Sequence, residues 1–97
     1  MPKYVIERET PGLGSQPADH LRVAAQRSND ALATLAPRVQ WQQSYITADK
    51  TYCVYIAEDE RAILEHAELS GFPANRVSRV VEVQDPTSAD QPAPDPR

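Results

Sequence analysis

The sequence predicts an α+β fold, a ferredoxin-like βαββαβ sandwich with two helices on one face of a four-stranded antiparallel sheet. Three observations carry this prediction. Four segments are rich in β-branched and aromatic residues, two carry apolar or small residues at helical spacing, and turn residues separate them in the order strand, helix, strand, strand, helix, strand. That order is a split βαβ unit used twice.

Tyr4 to Arg8 alternates apolar and charged residues, and Thr10-Pro11-Gly12-Leu13-Gly14-Ser15 supplies the turn chemistry that ends this first strand. A helix follows from about Pro17, with Leu21, Ala24, Ala25, Ser28, Ala31, Leu32 and Leu35 on one face, Ser15 or its neighbour as N-cap and Pro37 as the stop. Val39 to Thr47 and Thr51 to Ala57 are strand-like around the polar Ala48-Asp49-Lys50, so they pair as an antiparallel hairpin. Asp59 to Ser70 is the second helix. Its acidic first turn (Glu58, Asp59, Glu60) suits the helix dipole, and Gly71 takes the C′ position with Pro73 beyond it. Arg76 to Gln84, with Val77, Val80, Val81 and Val83, is the last strand. By simple alternation Trp41 and Tyr45 share one parity and Ile46 the other, while Tyr52, Val54 and Ile56 oppose Cys53 and Tyr55. Neither sheet face is polar throughout, and a second copy of the chain is the expected cover for the face without helices.

At 97 residues, 40% hydrophobic and 25% charged, the chain can build one small core, and self-association would add burial that a domain of this size lacks. A net charge of −4 excludes a nucleic-acid partner held by clustered Lys and Arg. The single cysteine, Cys53, makes neither an internal disulfide nor a CxxC site and reads as a buried strand residue of a cytoplasmic protein. No window has the apolar length of a signal-peptide core or a membrane span. Pro86, Pro92, Pro94 and Pro96 with Asp90 and Asp95 offer nothing to bury, so residues 1–86 form the expected domain and 87–97 a flexible tail. The sequence has no Gly-rich phosphate loop, no Ser/His/Asp set and no HExxH, and so gives no support to nucleotide binding, acyl hydrolysis or metalloprotease chemistry.

A series of short motifs runs through nearly the whole folded part: Tyr4-Val5-Ile6-Glu7-Arg8-Glu9, Trp41-x-x-Ser44-Tyr45, Tyr52-Cys53-Val54-Tyr55, Glu65-His66-Ala67, Gly71-Phe72-Pro73-Ala74-Asn75-Arg76 and Asp85-Pro86-Thr87. In this ordered set the chain resembles a family of small bacterial ferredoxin-like proteins of unknown function, named for a nickel-binding member. The resemblance implies a homodimer that binds Ni(II) for sequestration or detoxification, and it implies no catalytic reaction. Residues after Thr87 lie outside it, and His20 matches none of its motifs.

On residues alone the metal reading is thinner. Divalent nickel prefers imidazole with carboxylate or water oxygen, yet the only histidines, His20 and His66, sit on different helices with no chelating spacing. His66 follows Ile63 by three positions and so projects toward the sheet, where Glu7, Tyr45 or Tyr55 would meet it. A lone histidine there is first of all a hydrogen-bonded residue at the core edge. His20, beside Asp19 in the first turn of helix 1, faces solvent, and the pair could hold an ion at a dimer surface. The candidate ligands are thus His66, Glu7, His20 and Asp19. A second reading is enzymatic: Trp41, Tyr45 and Tyr55 would line a small-molecule pocket of the kind used by ferredoxin-like monooxygenases, cyclases or isomerases, with His66 or Glu7 as base. The same aromatics also suit a core or an interface.

Overall fold

A computed structural model describes residues 1–90. It contains β1 (Lys3–Glu9), α1 (Ala18–Leu35), β2 (Val39–Ile46), β3 (Lys50–Ala57), α2 (Glu60–Ser70) and β4 (Arg76–Arg79), with short 3-10 turns at Leu13–Ser15 and Pro86–Asp90. The strands lie in the order β2-β3-β1-β4 and every neighbouring pair is antiparallel. This is the ferredoxin-like arrangement that the element order predicts.

The register decides which residues meet the helices. Tyr4 stands opposite Tyr55 and Ile6 opposite Cys53, and these side chains join Val39, Ala57, Leu35, Ala62 and Ile63 in one buried cluster. Each large apolar side chain removed from water here contributes roughly 1.5–3 kcal/mol. Cys53 is buried as expected. Arg8 follows the same alternation inward and is itself buried.

The helix ends show two kinds of start. Asp59 caps α2, its Oδ1 accepting the Ala62 N–H at 2.9 Å, and Gly71 closes the helix in the left-handed region at φ 77°. By contrast α1 begins behind Pro17 with no side-chain cap, because the Ser15 hydroxyl donates to the Gly12 carbonyl instead. Pro17 and not Ser15 is therefore the boundary residue.

Two strands depart from simple alternation. A bulge between Trp41 and Gln43 adds one residue to β2, so Trp41, Ser44 and Ile46 pair across from the buried Tyr55, Cys53 and Thr51. Tyr45 consequently pairs with Tyr52 on the other face, away from Trp41. The last strand ends at Arg79 rather than Gln84. Its partner β1 begins at Lys3, whose carbonyl takes the Val80 N–H at 2.8 Å, while the carbonyl of the preceding Pro2 turns to the other neighbour and accepts the Ala57 N–H at 3.0 Å. Val81 and Val83 are left exposed.

Val5, Tyr52, Val54 and Ile56 form the middle of the face without helices, edged by Tyr45. The Pro86–Asp90 turn is tied by Asp85, whose carboxylate accepts the Thr87 N–H at 2.8 Å. Residues 91–97 of the expected tail lie outside the described residues.

Candidate functional site

His66 projects from α2 toward the sheet and is 1% exposed. Its Nε2 lies 3.1 Å from the Ser28 Oγ of α1, and its ring stands tilted 5.1 Å from that of Tyr55. Burial first, and the positive Arg8 second, bring its pKa down to about 4. The imidazole is neutral near pH 7. Of the partners expected for it, Tyr55 is present, whereas Tyr45 is on the other face. Ser28 was the missed partner, and its signal was a polar residue at a sheet-facing position of the α1 stripe.

Glu7 does not meet His66. In β1 the inward residues are Tyr4, Ile6 and Arg8, so Glu7 lies on the face without helices, between Lys50 Nζ at 3.7 Å and Arg76 Nε at 3.8 Å. Asp19 is exposed and pairs with Arg22 at 3.7 Å, and His20 beside it is exposed too. Among the described residues no three His, Cys, Asp or Glu side chains come together as a metal site within one chain.

What the fold does assemble is a pocket of about 400 Å³ between the N-terminal half of α1, the loop after β1 and the helix-covered face of the sheet. Its cause is legible in α1. After Leu21, the small side chains of Ala24, Ala25 and Ser28 face the sheet and leave space, while Leu32 and Leu35 near the C-terminal end fill it and join the core. Trp41 and Tyr55 line the pocket, as the aromatic-pocket reading expects, and His20 stands at its wall. Tyr45, His66 and Glu7 are not among the lining residues, so His66 reaches the pocket only through Ser28.

Arg8 is the pocket residue that the sequence reading passed over. It is 4% exposed, donates from Nη1 to the Pro73 carbonyl at 2.6 Å and from Nη2 to the Tyr55 hydroxyl at 3.4 Å, and lies 5.8 Å from the centre of the Phe72 ring. None of the ion pairs among the described residues includes it. Its signal was the strict alternation Tyr4, Ile6, Arg8. Burial raises the pKa of Tyr55, which stays a neutral phenol beside this cation.

With the site described, comparison with known proteins places the chain. The model of a family described as nickel-responsive proteins similar to SCO4226 matches residues 4–80. The chain belongs to this SCO4226-like family. The crystal structure of SCO4226 from Streptomyces coelicolor A3(2) superposes with a TM-score of 0.72 at 16% identity, covering 84% of this chain and 99% of that one. At that identity the likeness shows the fold alone. No curated protein matches the chain. As a member of the nickel-responsive family it has no helix among the described residues long and apolar enough to cross a membrane.

Proposed function

We propose that this SCO4226-like protein is a homodimer that binds Ni(II) and holds it, for sequestration or detoxification, without catalysing a reaction. The observation that carries the reading is the match of nearly the whole folded chain to a family described by its response to nickel. The chemistry of the exposed groups supports it. Ni(II) takes imidazole nitrogen together with carboxylate or water oxygen, and His20 with Asp19 is the exposed pair of that kind. One such pair leaves coordination positions open, which water oxygen would fill. His66 binds an ion only by giving up Ser28, and Glu7 only by leaving Lys50 and Arg76, so both rank behind His20.

The test is calorimetry of tag-free protein with Ni²⁺, read beside sedimentation. Saturable uptake by a dimer, lost in His20→Ala and kept in Glu7→Gln, is the expected result. Uptake that survives His20→Ala and disappears in a folded His66→Ala variant moves the ligand to the buried imidazole. No uptake by the unaltered chain ends the nickel reading.

A further inference from the structure

Apart from His20 at its wall, the pocket behind α1 takes no part in the proposed nickel binding, and its surroundings describe a ligand. A buried cation without an anion costs several kcal/mol unless something compensates it. Here the guanidinium of Arg8 meets a backbone carbonyl and a phenol, both neutral, and these account for two of the five N–H groups an arginine carries. The rest of the pocket lining contains no Asp or Glu. Thr10 also lines it, and its Oγ1 is buried with no hydrogen-bond partner, the only such buried side-chain atom among the described residues. Most of the remaining wall is apolar, with Leu13, Leu21, Ile46, Trp41 and Phe72, and the polar side chains among it, Gln16, His20, Ser28, Ser44 and Thr51, carry no negative charge.

We propose that this pocket binds a small monocarboxylate with an apolar body, its carboxylate on Arg8 and within reach of the Thr10 hydroxyl. The charge follows from the guanidinium, whose planar fork fits a carboxylate through two parallel hydrogen bonds. A single fork with one hydroxyl suits one negative charge. The body follows from the wall and the volume: about 400 Å³ lies in the range of small-molecule sites and admits an aromatic ring with a short chain. The site is complete within one chain and therefore independent of the dimer, and its anion-binding groups, Arg8 and Thr10, are not among the proposed nickel ligands.

The probes are 4-phenylbutyrate and its neutral amide, 4-phenylbutyramide, titrated in EDTA so that a metal-bridged carboxylate does not contribute. The readout is the fluorescence of Trp41, the one tryptophan of the chain and part of the pocket wall, with calorimetry beside it. The acid is expected to bind about tenfold or more tightly than the amide, the size of a charge-assisted hydrogen bond. Arg8→Met is expected to erase the preference. Since that variant alters a buried group, Ala25→Leu serves as a second: it fills the pocket from α1 and is expected to abolish binding of both probes with unchanged circular dichroism. Equal affinity of acid and amide, absence of binding at millimolar probe, or binding unaffected by Ala25→Leu overturns the proposal.

Discussion

His66 shows how one buried residue couples stability to pH. Its folded pKa of about 4 lies below the ordinary 6.5, so as pH falls the unfolded chain takes up the proton first and the folded chain resists it. The stabilising contribution is therefore complete above 6.5 and is lost between 6.5 and about 4, with a slope of at most about 1.4 kcal/mol per pH unit. Urea unfolding near neutrality and at about pH 5 is expected to show this fall, and His66→Gln to remove most of it. A slope unchanged by His66→Gln would mean that the acid sensitivity lies in carboxylates. Ser28 belongs to the same pair. Ser28→Ala leaves the imidazole nitrogen buried without its partner, and a loss of about 1–3 kcal/mol in the same unfolding assay is expected.

Among the elements, α2 has each end set by a single residue, Asp59 before it and Gly71 after it, and the first is tested by substitution. Asp59→Ala removes the cap on the Ala62 N–H and is expected to lower stability by about 1 kcal/mol, whereas Glu60→Ala, which caps nothing, changes it little. Thermal unfolding by circular dichroism separates the two. These ends were readable beforehand because an acidic residue before a helical stripe and a Gly-Phe-Pro after it have local physical causes. The order of the elements was readable for the same reason, as was the burial of Cys53 and His66. The β2 bulge was not: one extra residue between Trp41 and Gln43 leaves no mark in composition, and it reverses which aromatics share a face. Nor was the early end of β4, which depends on how far a partner strand distant in sequence runs alongside it. The site was legible in part. Trp41, Tyr55 and the inward histidine could be anticipated, while the pairing of His66 with Ser28 required knowing how α1 lies over α2 and the sheet. Arg8 was passed over because the hydrophobic argument that places Tyr4 and Ile6 inside does not by itself place a cation there.

At the scale of the whole molecule, the proposed pocket site and the proposed dimer contact lie on opposite faces of the sheet. The pocket under α1 belongs to one chain, whereas the Val5, Tyr52, Val54 and Ile56 face carries no helices and gives the proposed homodimer an apolar surface to close on. Val54 pairs with Val5 on one side and Gln43 on the other, in the middle of that face, and its side chain points away from the pocket. A carboxylate at this position would be desolvated on pairing with a second copy, so Val54→Asp is expected to shift sedimentation from dimer to monomer at micromolar protein while leaving circular dichroism native. His20 and Asp19 start α1, on the side of the sheet away from Val54, so nickel uptake through them is expected to persist in the monomer, and phenylbutyrate binding persists because Arg8, Thr10 and Trp41 remain together in a single chain. Loss of nickel with the dimer would mean that the second copy supplies donors at the open face, and a wild-type protein that sediments as a monomer would leave that face without a second copy of the chain as its cover.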